Sequence, residues 1–297
     1  MRVDRHIEMG PGRLVWTRVD DAPQIAVATE HADGIRRFEL RYLFTLGGGG
    51  WRERLKRVAR ARRLPTLRRG RFSTLTYYSV YYPVWWHLES RGAAHPLHAA
   101  GVALHGQGVL LAGLAGAGKS TITANFLGVP GAELLSDNVV LHDETRLFGC
   151  FEPLLLDASA RAALGAGHGL TPLGRRHVFA RDAFMAPHRT DGVPLAAAVL
   201  LARGSGTRLV RLGARDLARM LLAINEAAKE VRRYHVFAAI LGLVEPTGLA
   251  QVAERAARLE RLLARVPCYR LEMREANPAE AVAMVSELVS PAAEVAQ

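Results

Sequence analysis

Apolar and polar residues alternate with period two over residues 13–19, 24–28 and 38–44, the pattern of half-exposed strands. Four glycines, Gly47 to Gly50, end that pattern and predict a flexible joint. From His98 the strands become more continuously apolar. Residues 101–104 and 109–112, separated by His105-Gly-Gln-Gly108, predict a β-hairpin. Its second strand runs straight into Gly113-Leu-Ala-Gly-Ala-Gly118-Lys119-Ser120, followed by a helix over 119–127. Further strands are expected at 133–136, 139–141, 146–150 and 196–202. The last third has apolar residues at three and four spacing over 214–233 and 249–266, two amphipathic helices with Pro246-Thr-Gly as a breaker between them. A strand at 268–273 follows. A helix opening at Asn277-Pro-Ala-Glu280 ends the pattern, with a cap residue, a first-turn proline and a glutamate three on.

This order of elements predicts an α/β protein. A small, mainly β N-terminal domain spans residues 1–95, and a second domain spans 96–297 with a helical C-terminal part. No internal repeat is visible. The longest apolar run, 193–202, contains a proline and is far shorter than the roughly 18 residues of a membrane span, so no transmembrane segment is expected. The first residues carry charges and no apolar leader, which reads as a cytoplasmic chain. Cys150 and Cys268 are too few for a disulfide framework and are expected to be buried thiols.

Charge changes the picture in one place. The formal net charge is +11, yet ten positive residues from Arg52 to Arg71 stand against Glu53 alone, a local excess of +9. The rest of the chain is close to +2 by difference, so basicity belongs to one stretch, residues 52–71. That stretch suits an acidic peptide, an RNA or an anionic surface. The aromatic run from Tyr77 to Trp86 after it is too dense to be wholly exposed. Half of it is expected in a core, with the remainder available as a groove wall.

The segment from Gly113 to Ser120 satisfies G-x-x-x-x-G-K-[ST], and lysine occurs only at 56, 119 and 229 in the whole chain. Glycines let such a loop wrap closely, so that backbone N–H groups of Gly113, Ala115, Gly116, Ala117 and Gly118 point inward at phosphate oxygens. The N-terminus of the next helix, at Lys119, Ser120 and Thr121, faces the same charge. Lys119 would reach the β and γ phosphates of ATP, and the Ser120 hydroxyl would serve Mg²⁺. Asp137, 18 residues beyond Lys119 at the end of an apolar strand, is a second Mg²⁺ ligand or the base for an attacking hydroxyl. A transport ATPase of the ABC type would need a Leu-Ser-Gly-Gly-Gln signature, and none is present.

The succession His98-Ala-Ala-Gly-Val, Gly108-Val-Leu-Leu-Ala-Gly, the phosphate loop and Leu134-Leu-Ser-Asp-Asn-Val-Val resembles the catalytic domain of HPr kinase/phosphorylase and its shorter relatives. The resemblance is strong over residues 96–150 and weak up to Met273. It implies a P-loop kinase core of the HPr kinase/PEP carboxykinase type, a mixed sheet with a hairpin before the loop. It also implies that His98 lies near the transferred phosphate and that Asp137 is the acid that deprotonates a seryl hydroxyl. Asn138 stands where the family usually has a second acid. The Glu-x-Arg-Gly-x-Gly signature linked to phosphorylase activity has no counterpart, so kinase chemistry without the reverse reaction is expected. Among such relatives are kinases that phosphorylate a serine of ribosomal peptide precursors, including those of lasso peptides.

Arg175, Arg176 and Arg181 would supply charge to a transferring phosphoryl group. The leading reading is therefore an ATP- and Mg²⁺-dependent serine kinase acting on a peptide or small protein. The alternative is a nucleotide-binding regulatory module that holds RNA or another polyanion through residues 52–71. The acceptor, the choice between ATP and GTP and any homo-oligomer are left open at this stage.

Overall fold

The structure, a computed structural model, describes residues 2–19, 22, 24–43, 58, 72–126, 128–150, 152, 155–156, 170–173, 176–179, 191–273 and 278–289. The glycine run, nearly all of the basic stretch and both Arg175 and Arg181 lie outside the described residues. In chain order, the N-terminal strands are β1 (Arg2–Asp4), β2 (Ile7–Gly10), β3 (Arg13–Trp16), β4 (Ile25–Ala32) and β5 (Ile35–Tyr42). A π-helical turn, Tyr77–Tyr81, continues into α1 (Tyr82–Glu89). Then come β6 (His95–Leu97), β7 (Ala100–Leu104), β8 (Gln107–Ala112), α2 (Lys119–Phe126), β9 (Ala132–Ser136), β10 (Val140–His142) and β11 (Arg146–Phe148). A small sheet of β12 (Leu155–Leu156), β13 (Leu170–Leu173) and β14 (Arg176–Phe179) follows. The chain continues with β15 (Val193–Arg203), β16 (Arg208–Leu212), α3 (Ala214–Ala227), α4 (Lys229–Gly242), α5 (Pro246–Ala253), α6 (Arg255–Ala264), β17 (Cys268–Met273) and α7 (Pro278–Glu287).

The protein is of the mixed α/β class, with a small antiparallel sheet at its N-terminus and a large mixed sheet after it. It divides into two compact units, Met1–Arg91 with Arg233–Val252, and Gly92–Arg232 with Ala253–Gln297. The return of residues 233–252 to the first unit has no signature in the local pattern.

In the first unit, β1 to β5 form an antiparallel meander in chain order. Tyr78, Tyr82, Trp85, Trp86 and Glu89 are buried at spacings of three, four and one, one face of a helix. Four of the six aromatics between Tyr77 and Trp86 are thus core. They meet the returning segment: the Trp85 and Tyr234 rings cross edge to face at 5.3 Å, and Phe237 lies 5.7 Å from Tyr82. A cavity of about 490 Å³ in this unit is walled by Pro83, Val84, Trp86 and the end of the β4–β5 hairpin. Tyr77 and Tyr81 pack on each other and on Trp85.

In the second unit, nine strands among the described residues run β6-β10-β11-β15-β8-β7-β9, with β17 beside β15 and β16 beside β17. β15 is parallel to both β8 and β17, and the other pairings are antiparallel. β15 is apolar almost throughout because both faces are covered. Ala198 belongs to the layer beneath α3 and α6, and Ala197, Val199 and Leu201 to the layer beneath α2 and α7.

The expected hairpin turns at His105 and Gly106, with φ of 51° and 78°, the two left-handed residues of a tight hairpin turn. The long helix expected over 214–233 is broken at Ala228, which is extended at φ −78° and ψ 119°. Pro246-Thr-Gly, expected as a breaker, instead begins α5, since proline fits a first helical turn. The amphipathic pattern over 249–266 is divided between α5 and α6. No described helix is long and apolar enough to cross a membrane.

Candidate functional site

β8 is the central strand from which the Gly113–Ser120 loop springs. Leu111 and Ala112 are fully buried, and the chain then leaves the sheet through Gly113 to Gly118 and enters α2. Two glycines are required by backbone conformation: Gly116 at φ 79° and Gly118 at φ 97°. A Cβ at Gly118 would also meet the Met273 methyl group, the flexible end of a side chain from β17 that can turn aside. Helix α2 starts at Lys119, so the early N–H groups of the helix face the loop.

The sequence-predicted residues of the loop converge. Lys119 is 9% exposed, and its ammonium donates to the Gly113 carbonyl at 2.6 Å and the Leu114 carbonyl at 3.4 Å. The Ser120 hydroxyl donates to Asp137 Oδ2 at 3.0 Å. Asp137 reaches that point because β9 ends at Ser136, where it pairs with Gly101 of β7, next to β8 in the sheet. Its side chain is 7% exposed. A hydroxyl and a carboxylate at this separation form a hard oxygen pair. Magnesium is commonly held by one or two carboxylates with phosphate and water oxygens completing the shell, and the pair fits such an ion. Among the described residues no cluster of three or more acidic, histidine or cysteine side chains forms a closed metal site. Asn138 follows with its backbone N–H on the Ser136 hydroxyl at 3.4 Å.

His98 sits between β6 and β7, close enough to Lys119 to feel its charge. Burial, and then that ammonium, hold the imidazole pKa down at about 4, so the ring is neutral at pH 7. Its backbone N–H donates to Asn225 Oδ1 of α3 at 2.8 Å. Asn225 is 4% exposed on the face that carries Leu217, Leu221 and Ile224. A lone amide in an otherwise apolar stripe was its visible signal in the sequence, and the sequence reading passed over it.

Arg203 was also missed. It ends β15, and its Nε and Nη2 donate to the Gly116 carbonyl at 3.4 and 3.2 Å. An arginine closing a strand parallel to the loop strand is the signal that could have found it, since ligands of open α/β sheets sit beyond the carboxyl ends of such strands. Of the arginines proposed from sequence, Arg176 begins β14, while Arg175 and Arg181 lie outside the described residues. Cys150 and Cys268 are both buried free thiols, and burial raises the Cys268 pKa.

No family model matches the chain, and no curated protein matches it. Among solved structures it is similar to the Hpr(Ser) kinase/phosphatase from Coxiella burnetii, at 12% identity and a TM-score of 0.27, covering 66% of this chain and 88% of that one. At that distance the reading of the site rests on its own residues.

Proposed function

We propose that the chain is a phosphotransferase that takes the γ-phosphoryl group of ATP, with Mg²⁺, and passes it to a serine hydroxyl on a peptide or small protein. The observation that carries this reading is the contact at the foot of the loop, where the Ser120 hydroxyl meets Asp137 at 3.0 Å behind a G-x-x-x-x-G-K-S sequence. A phosphate loop by itself suits any triphosphate hydrolase. A carboxylate beside it, reached by a separate strand, adds a group able to take a proton.

In this reading the loop N–H groups and Lys119 bind the β and γ phosphates. Mg²⁺, held by Ser120 and Asp137, would neutralise charge on the phosphate oxygens. The seryl oxygen attacks phosphorus in line, its proton passes to an Asp137 oxygen, and the bond from phosphorus to the β–γ bridging oxygen breaks to release ADP. Neutral His98 can donate or accept a hydrogen bond beside the reacting phosphoryl group without adding a charge next to Lys119. Residues 1–95 are assigned to acceptor binding and 96–297 to catalysis. The motif and the Ser120–Asp137 contact support the transfer step; the serine acceptor comes from the family resemblance.

The test is transfer of label from γ-labelled ATP to short peptides encoded beside the gene. Transfer by the native chain that falls at least about a hundred-fold in Asp137→Asn is expected for a lost general base. No transfer, or equal transfer by both proteins, rejects the reading.

A further inference from the structure

The second unit has a cavity of about 550 Å³ alongside the phosphate loop. Its walls include Leu114 and Ala115 of the loop, Ala202 of β15, and Met220, Ala223 and Ile224 of α3. Two of these break the usual rule for large apolar side chains. Leu114 is 61% exposed and Met220 is 41% exposed, on two different elements that line one hollow. Exposed apolar groups facing a concave space of this size are the composition of a small-molecule site, which commonly spans about 300 to 1,000 Å³.

The polar side chains near the cavity are already engaged. Arg203, the charged residue in its wall, donates through both Nε and Nη2 to the Gly116 carbonyl. Glu272 pairs with Ala202 in the β15–β17 register, and so stands on the same sheet face. It is held by Arg208 at 2.5 Å and Arg270 at 2.7 Å, which depress its pKa. Among the described residues, the wall side chains therefore offer neither a carboxylate for the N1–H and amino group of guanine nor an amide for the amino group of adenine.

We propose that this cavity seats the base of the nucleotide and holds it by apolar contact, so that the site accepts adenine and guanine triphosphates with little preference. This inference rests on the reading of the loop as a triphosphate site and adds the subsite for the base. Its physical ground is the asymmetry of recognition. Sites that hydrogen-bond a substrate group reject its analogue by about 10⁴-fold or more, whereas apolar pockets separate similar groups by only about ten to two hundred-fold.

Titration calorimetry of the full chain with Mg²⁺ and ATP, GTP or inorganic tripolyphosphate tests it. ATP and GTP are expected to bind within about two hundred-fold of each other, the range of an apolar pocket. Ala223→Phe, at an exposed helix position, is expected to weaken both by at least about ten-fold while leaving tripolyphosphate unchanged, because it fills the base subsite and not the loop. A larger preference for either base, or an unaltered ATP affinity in Ala223→Phe, overturns the proposal. Should that variant not fold, Met220→Glu decides, with the same selective loss expected and an unaltered ATP affinity overturning it. A native chain that binds neither ATP nor tripolyphosphate rejects the triphosphate reading itself, a different outcome from binding that ignores the cavity.

Discussion

The two units use the same device, a hydrogen bond between a hydroxyl and a buried carboxylate, in different surroundings. In the first unit the Tyr234 hydroxyl donates to Glu89 at 2.7 Å, among rings of Tyr82, Trp85 and Phe237. In the second the Ser120 hydroxyl donates to Asp137 at 3.0 Å, at the foot of a loop with left-handed Gly116 and Gly118. The first pair is the shorter, and it lies within an aromatic core. A buried polar pair is therefore no sign of chemistry by itself. What separates the second is backbone: left-handed glycines in the loop, and a lysine at the helix start. The same contrast holds for indole and guanidinium groups. Trp86 Nε1 and Arg36 both bind Glu245, at 3.0 and 2.8 Å, and lock an aromatic core, whereas Arg203 is spent on a loop carbonyl.

The comparison breaks most sharply at Lys119. Lys119→Ala is expected to lower phosphoryl transfer by at least about 10³-fold, measured in a single turnover with labelled ATP, because the charge on the transferring group loses its main cation. Trp86→Ala acts on the other unit. It should cost about 3 to 5 kcal/mol in urea unfolding, through lost ring burial and a Glu245 left with one partner fewer, and calorimetry should find nucleotide affinity unchanged in the folded fraction.

His98 sharpens the contrast through pH. Its pKa of about 4 lies below the ordinary 6.5, so as pH falls the unfolded chain takes up the proton first. The stability of the native chain should then drop between pH 6.5 and 4, by up to about 3 kcal/mol from this group, and level off below. Thermal melts of His98→Asn across that range should lack this component. The smallest effect is expected at Tyr234→Phe, about 1 to 3 kcal/mol in denaturant, since Glu89 is left buried with one donor fewer.

The parts of the molecule that were legible in the sequence are those whose cause is local. The hairpin of β7 and β8, the loop and the start of α2 were readable because alternation and glycine spacing each act over a few residues. The C-terminal strand Cys268–Met273 was readable for the same reason. Ala228 was not: it has high helix propensity, and nothing near it announces a break, yet it is extended between α3 and α4. Nor was Pro246, whose missing N–H reads equally as the end of one helix or the start of another.

Within the site, residues 98 to 137 supply the loop, Ser120, Asp137 and His98 from one continuous stretch, and that is why a motif could find them. Asn225 lies 127 residues from its partner His98 and Arg203 lies 87 residues from its partner Gly116, and only the packing of α3 and the parallel register of β15 with β8 bring them in. The order of elements, the glycine-bearing loop and its lysine were determined by the sequence itself, because backbone conformation and hydrogen-bonding capacity are properties of short stretches. Which strand lies beside which, the hollow between the loop and α3, and the return of residues 233–252 to the first unit were decided by tertiary structure, because burial of apolar surface depends on area and shape and is blind to separation along the chain.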